Sequence, residues 1–167
     1  MSDATKPGTP VDTGVSLRPI IDAVVEFFVD DGWTVDRLDG QVAVRVMFRG
    51  EHGEWPCYAQ AREADRQLLV YSACPVAVPP DRRLAVAEMI TRCNFGLLIG
   101  NFELDMNDGE LRFKTGLDVE QTELTGHLIR PLVYANVLSM DRFLPAILRV
   151  IYGGESPLDL ASEFGLS

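Results

Sequence analysis

The chain has 167 residues, with 15 Lys+Arg and 25 Asp+Glu, so its formal net charge at pH 7 is −10. Nucleic acids are held mainly by cations, so this charge argues against a broad nucleic-acid surface and, equally, against an anionic membrane surface. The hydrophobic fraction of 47% and the charged fraction of 24% are typical of a globular protein. A chain of this length can bury a core without a metal or a disulfide, so we expect no cofactor.

Residues 1–15 are rich in Ser, Asp, Thr, Gly and Pro, which predicts a flexible N-terminal arm ahead of a single domain over residues 16–167. The arm has no apolar stretch behind its one cation, Lys6, so we predict that it is not a signal peptide. The longest weakly polar stretch, Leu68 to Pro80, is too short to span a bilayer. We therefore expect a cytoplasmic protein.

The spacing of apolar residues changes several times along the chain. Helical spacing over residues 17–28 predicts a first helix, and alternation over residues 33–74 predicts four strands. The later predicted elements are a helix from Asp81 to Leu97, strands Asn101 to Met106 and Glu110 to Leu117, helical segments Leu124 to Leu138 and Asp141 to Tyr152, and a short terminal helix capped at Ser156. This order predicts an α+β domain in which an antiparallel sheet of about five to six strands packs against helices.

Two Asp-Gly dipeptides, at residues 39–40 and 108–109, predict two-residue hairpin turns. The second turn places Glu103 opposite Lys114, with opposite charges on one face and apolar pairs on the other. This separation predicts which face of each strand is buried.

Residues suited to catalysis or metal binding are few and scattered. The spacing of Cys57, Cys74 and Cys93 fits neither a zinc site nor a disulfide framework, so we predict reduced thiols. His52 and His127 have no metal ligands or catalytic partners near them in the sequence, so we predict no metal. No nucleophile-elbow, zinc-protease, dinucleotide-binding or P-loop motif is present.

Two acidic patterns also fail as reactive sites. In the segment Asp105 to Gly109 the glycine is fifth, whereas a calcium loop needs it sixth. Glu103 and Asp105 face Arg112 and Lys114, which keep carboxylates ionised and unsuited to act as general acids. The sequence therefore favours a binding protein over an enzyme.

Three aromatic residues, Trp55, Tyr58 and Tyr71, lie on the predicted central hairpin. Side chains alternate along a strand, so some of the three should point away from the helices. Such residues are candidates for a protein-binding, peptide-binding or dimer surface, because Trp and Tyr are favoured at interfaces. The alternative is that they are ordinary core and half-buried side chains.

The helix from Asp81 to Leu97 is apolar around much of its circumference, which indicates two packing neighbours. The sheet supplies one neighbour, and a second copy of the chain is a candidate for the other. The contact residues would then be Val86, Met89, Ile90 and Cys93. Alternatively, the C-terminal helices of the same chain cover this side.

Several segments carry a family resemblance through their order and spacing: Gly53 to Ala59, Leu69 to Pro75, Arg92 to Phe95, Gly100 to Asp105, Asp108 to Thr115, and Asn136 to Pro145. Over about residues 16–160 the chain resembles the YbjN family of bacterial sensory transduction regulators, whose fold is similar to type III secretion chaperones. The resemblance implies that fold, a homodimer and no catalytic residues. An extra sheet hairpin and a long C-terminal helical region distinguish the chain from the secretion chaperones.

We therefore predict a non-enzymatic, cytoplasmic binding or regulatory protein that engages a protein or peptide partner. It should form a homodimer and use no cofactor, nucleic acid or membrane. The alternative is a small-molecule-binding domain or an enzyme that uses a cavity between the sheet and the C-terminal helix. A deep pocket above about 300 Å³ with convergent polar groups would favour that alternative.

Overall fold

The computed structural model describes residues 17–120 and 122–166, so the predicted arm at residues 1–15 lies outside the described residues. The elements are α1 (Ile20–Asp30), β1 (Asp36–Arg37), β2 (Ala43–Arg49), β3 (Glu54–Arg62), β4 (Gln67–Ala73), α2 (Arg83–Phe95), β5 (Asn101–Leu104), β6 (Leu111–Asp118), α3 (Gly126–Leu148) and α4 (Pro157–Glu163). A π-helical turn over Arg149–Gly153 continues α3. The predicted α+β class is confirmed.

The six strands form one antiparallel sheet in the order β1-β2-β3-β4-β6-β5. The first four strands form a meander, after which the chain passes through α2 and returns at the far edge as β5. Helix α1 packs on β2 and β3, and α3 packs on β4 and β6. Alternate residues of β3 and β4 are buried on this helical face, whereas the opposite face carries half-buried and exposed side chains. The second face is called the open face below.

Helix α3 is continuous, although two helical segments were predicted. It runs for 23 residues through Pro131 and Pro145 and has no break near residue 139. A proline inside a helix costs about 3 kcal/mol, whereas each large apolar side chain that becomes buried contributes about 1.5–3 kcal/mol. The buried side chains of Val137 and Met140 lie at the predicted break, so packing keeps the helix intact.

A buried amide attaches α3 to the middle of the sheet. The Asn136 side chain is fully buried, and its Nδ2 atom donates to the carbonyls of Val70 at 2.9 Å and Phe113 at 3.1 Å. The hydroxyl of Thr115 on β6 donates to the carbonyl of Leu132 at 3.1 Å. Buried polar groups need such partners, so these bonds favour one position of α3 on the sheet.

Both predicted hairpin registers are wrong by two residues. Asp36 lies opposite Arg45, which leaves residues 39–42 in the first loop, and Glu103 lies opposite Arg112 instead of Lys114. A shift of two residues leaves every paired side chain on its predicted face, because the strand period is two. The apolar residues Val42 and Met106 lie instead in the two loops and are exposed.

Side chains in the β5–β6 loop explain why it is longer than a two-residue turn. The carboxylate of Asp105 accepts the backbone N–H of Asn107 at 2.7 Å, and that of Asp108 accepts the N–H of Glu110 at 2.8 Å. Each of these bonds forms a local Asx turn. Gly109 then adopts a φ of 84°, close to the carbonyl of Val78.

Asn94 on α2 closes the free edge of β5. Its Oδ1 accepts the backbone N–H of Phe102 at 2.7 Å, and its Nδ2 donates to the Phe102 carbonyl at 3.1 Å. At the other end of α2, Arg83 donates to the carbonyls of Met106 and Asn107. These contacts replace a neighbouring strand, and a protected edge resists pairing with other chains.

Asp31 joins the end of α1 to α3. Its carboxylate accepts from Trp33 Nε1 at 3.0 Å, from the Tyr134 hydroxyl at 2.8 Å and from Arg130 at 2.6 Å. The hydrogen bonds from Trp33 and Tyr134 are the main reasons that the pKa of Asp31 is lowered.

Replacing Asn94 with Ala should leave the edge groups of Phe102 without partners, which costs about 1–3 kcal/mol of unfolding free energy. Urea denaturation measures this loss. The matched control is Asn101→Ala, because Asn101 only donates a longer bond of 3.3 Å to the same carbonyl. Equal losses in the two variants would show that Asn94 does not protect the edge.

Replacing Asp31 with Asn should destabilise the protein at neutral pH. Because the folded-state pKa of Asp31 is lowered, its stabilisation is present above the ordinary pKa of about 3.9 and is lost as the pH falls through the folded value. Thermal melts from pH 7 to pH 3 should therefore show wild type and variant converging. The exposed Asp30→Asn serves as control, and a difference between wild type and Asp31→Asn that was as large at pH 3 as at pH 7 would contradict the assignment.

Candidate protein-interaction surfaces

Tyr58 and Tyr71 come together at the centre of the open face. They lie directly opposite each other on β3 and β4, and both side chains are half-buried. Arg45 on β2 and Lys114 on β6 extend the same cross-strand row on either side. The guanidinium of Arg112 lies 4.5 Å from the ring centroid of Tyr71. Two of the three predicted aromatic residues therefore share an accessible surface, with cations beside them.

Trp55, the third predicted residue, belongs to the core and not to this surface. Its side chain is 0% exposed and its ring centroid lies 5.2 Å from that of Phe48. Residues 55 and 58 are separated by an odd number of positions on one strand, so their side chains point to opposite faces. The prediction that Trp55 contributes to a partner surface is corrected on this ground.

The predicted dimer contact on α2 is also corrected. Val86, Met89, Ile90 and Cys93 are at most 6% exposed within a single chain. Helix α2 packs on β5, α3, α4 and the π-helical turn, so the chain itself covers the apolar side that was assigned to a second copy. The alternative interpretation, coverage by the C-terminal helices, is the one that the structure bears out.

A different apolar surface follows α2, and the sequence interpretation missed it. Phe95, Leu98 and Ile99 are 90%, 99% and 51% exposed, and are called the apolar loop patch below. Beside them lies an open hollow of about 430 Å³ that includes Thr91, Phe95 and Leu166. The run of apolar residues between Gly96 and Gly100 was the available signal, because a loop that short cannot bury them all.

Two larger surface grooves bear on the small-molecule alternative. One of about 460 Å³ lies between the end of α1, β2 and α3, and is lined by Asp31, Trp33 and Tyr134 among others. The hydrogen bonds that join Asp31 to Trp33 and Tyr134 already occupy these polar groups. The second, of about 450 Å³, lies between α1 and the start of α3, and its polar lining includes Arg18, Glu26, His127 and Arg130. Its size and polar lining are those of a small-molecule site, but it is an open groove on the surface and not a deep pocket.

The remaining titratable candidates have structural partners. Burial alone would raise the pKa of Glu103, but hydrogen bonds from Lys114 and Arg112 outweigh it and lower that pKa. Burial raises the pKa of the Cys57 thiol to about 11 and that of Cys93 to about 12, so both thiols are poor nucleophiles.

The two histidines lie in separate places. His52 is in the β2–β3 turn, where Asp141 accepts the backbone N–H groups of Glu51 and His52 at 3.0 and 2.9 Å, whereas His127 is at the start of α3. Within residues 17–120 and 122–166, no three His, Cys, Asp or Glu side chains are placed to share a metal ion. No helix in the described part of the chain is long and apolar enough to cross a membrane.

Comparisons with solved structures agree on the fold. The crystal structure of YbjN from E. coli is 18% identical, with a TM-score of 0.60, and the match covers 78% of this chain and 96% of that chain. The crystal structure of the ExsC-ExsE complex contains a chain 14% identical with a TM-score of 0.50, covering 74% of this chain and 90% of that one. ExsC is a type III secretion chaperone, so the predicted chaperone-like fold is confirmed.

A search of curated proteins finds no match. A family model described as "YbjN: Putative bacterial sensory transduction regulator" matches residues 21–149. This match covers α1 through the start of the π-helical turn, which is most of the chain. The chain therefore belongs to the YbjN family.

Proposed function

We propose that this protein is a cytoplasmic, chaperone-like regulator that binds a protein or peptide partner and has no catalytic activity. The observation that carries the proposal is the open face of the sheet, where Tyr58 and Tyr71 lie side by side beneath no helix of the described chain. Tyrosine is enriched at interfaces because it combines a large apolar ring with a polar group. Membership of a regulator family and the fold shared with ExsC support the same role.

The chemistry of the described residues supports binding over catalysis. The carboxylates of Asp31 and Glu103 have lowered pKa values, whereas a general acid needs a raised one. The thiols of Cys57 and Cys93 have raised pKa values, whereas a nucleophilic thiol needs a lowered one. The carboxylate shifts reflect structural hydrogen bonds and the thiol shifts reflect burial, so neither kind of shift prepares a group for reaction.

The proposed assembly is a homodimer that uses the apolar loop patch in place of the inner side of α2. Leu98 projects fully into solvent beside the open hollow at Thr91 and Phe95. In a twofold arrangement, Leu98 of each copy would fill the hollow of the other. The two charged side chains of the hollow, Glu88 and Arg92, pair with each other at 2.7 Å, so they add no net charge to a contact between two copies that each carry a charge of −10.

Photo-crosslinking at the open face tests the binding role. With p-benzoylphenylalanine at Tyr58, ultraviolet irradiation of cells should give a discrete adduct to another protein. The same probe at Tyr152, an exposed tyrosine on the π-helical turn, should not give that adduct. The adduct's absence at position 58, or its equal yield at position 152, would count against the open face as the binding surface.

The substitution Leu98→Glu tests the dimer. The mass measured by light scattering should fall from about twice 18.5 kDa to about 18.5 kDa, while the circular dichroism spectrum stays that of the folded protein, because Leu98 makes no buried contact in one chain. The melting temperature should fall only by the stabilisation that dimerisation provides. The matched control is Leu84→Glu at the start of α2, which is 78% exposed and should leave the dimer intact. A wild-type mass near 18.5 kDa at micromolar concentration would rule out the dimer.

A further inference from the structure

A shallow groove crosses the middle of the open face. Its volume is about 200 Å³, and its lining includes Leu38 and Gln41 at one side, Tyr58 and Tyr71 at the centre, and Arg112 with its ion-pair partner Glu110 at the other side. Arg45 and Lys114 lie beside the two tyrosines, outside this lining. Pockets that hold small organic ligands usually have about 300–1,000 Å³, and a helix with its side chains is about 10–12 Å wide. The size of the groove therefore favours an extended polypeptide over a small organic ligand or a helix.

The open face differs in charge from the rest of the protein. Strand positions that point to this face hold five cations and four anions: Arg45, Arg49, Arg62, Arg112 and Lys114, with Asp36, Glu54, Glu103 and Asp118. The whole chain has a charge of −10, so its excess acidity lies elsewhere. An acidic segment is therefore repelled least at the open face.

The cations beside the tyrosines have a definite spacing. Arg45, Tyr58, Tyr71 and Lys114 form one row across β2, β3, β4 and β6. Adjacent strands lie about 4.8 Å apart, so three spacings separate the two cations by about 14 Å along the row. An extended chain advances about 3.4 Å per residue, so about four residues cover this distance.

The present partners of these cations can be exchanged. Arg45 forms an ion pair with Asp36 at 2.9 Å, in which both side chains are about half exposed. The Lys114–Glu103 pair is less exposed, at 32% and 28%, but Glu103 keeps Arg112 as a second partner when Lys114 leaves it. Ion pairs at exposed sites contribute only about 0–1 kcal/mol. A partner's carboxylates could replace them at little cost, while its apolar side chains gain contact with the tyrosine rings.

We propose, on the basis of the proposed function, that the open face binds an extended acidic and apolar segment of the partner protein along the row from Arg45 to Lys114, which crosses the groove at Tyr58 and Tyr71. Two carboxylates about four residues apart pair with Arg45 and Lys114. The apolar or aromatic side chains between them lie on Tyr58 and Tyr71, and Arg112, stacked on Tyr71, provides a further cation. The partner segment is thus recognised by the spacing of its charges.

A single nucleic-acid strand is the rival ligand, because bases stack on aromatic rings and phosphates attract cations. Two observations favour the protein segment. The first is that the chain as a whole is strongly acidic. The second is that Arg45, Arg112 and Lys114 each already pair with a carboxylate, which is the contact proposed for the partner segment. An oligothymidine is therefore included in the experiment as a competing probe.

The experiment measures the fluorescence anisotropy of labelled peptides with the full-length protein at low salt. The first probe has the core Glu-Leu-Phe-Leu-Glu, the second has Lys in place of Glu, and the third has the order Glu-Glu-Leu-Phe-Leu. We expect the first to bind at least about tenfold more tightly than the second, in which both charge contacts become repulsive, and about threefold more tightly than the third, in which one contact is misplaced.

The double variant Arg45→Glu/Lys114→Glu should weaken binding of the first peptide by at least about tenfold. Arg45→Gln/Lys114→Gln provides a milder form if the first variant does not fold. Arg49→Glu/Arg62→Glu is the matched control, because it makes the same change in net charge at two cations of the open face that are ion-paired to Glu54 and Asp65 and lie four residues from Arg45 and Tyr58. It should leave the affinity unchanged.

The proposal is overturned if the Lys peptide binds as well as the Glu peptide, if oligothymidine binds while the Glu peptide does not, or if no peptide binds. Sequencing the segment attached at position 58 separates this inference from the proposed function. A basic or helical segment there would contradict the inference while the binding role stands. The absence of any adduct would remove the binding role itself.

Discussion

One-sided packing of the sheet is the constraint on which the rest of this structure depends. Helices α1 and α3 lie on a single face, so every strand must place apolar side chains on one side and solvent-compatible side chains on the other. Val70 and Phe113 satisfy the first requirement, and Tyr71 and Lys114 satisfy the second on the same two strands. The alternation that builds the core therefore also builds the surface available to a partner.

Polar contacts fix where each helix lies on that core. Asn136 attaches α3 to β4 and β6, Asn94 attaches α2 to the edge of β5, and Asp31 attaches α1 to α3. Hydrophobic burial supplies most of the stability but has little directional preference, whereas hydrogen bonds to buried groups need definite geometry. With the helices held in this way, the open face stays uncovered and its tyrosines keep their positions.

Much of the fold could be predicted, because the spacing of apolar residues shows which side of a helix or strand is buried. The order of helices and strands follows from helical spacing and alternation, the antiparallel sheet from the short connections, and the inward position of Phe113 from alternation. Register could not be predicted, because side chains such as Asp105 and Asp108 compete with a two-residue turn and favour a longer loop. The continuity of α3 through Pro131 depends on packing against distant strands, which local sequence does not contain.

The site was predicted less completely, for a related reason. Tyr58 and Tyr71 could be found from their positions on the central hairpin. Assigning Trp55 to a face required knowing which alternate residues of β3 point toward the helices. The inner side of α2 resembled an interface because α4 and the π-helical turn, which cover it, come some 60 residues later in the chain. An apolar helix face indicates a neighbour without indicating whether that neighbour belongs to the same chain.

Hydroxyl-radical footprinting of the protein, purified and in cell extract, tests the central claim most directly. The account predicts that Tyr58 and Tyr71 are oxidised in the purified protein and protected in extract, while Tyr152 is oxidised in both and Trp55 in neither. Oxidation of Trp55 in the purified protein, or equal oxidation of Tyr58 and Tyr71 in both samples, would contradict it.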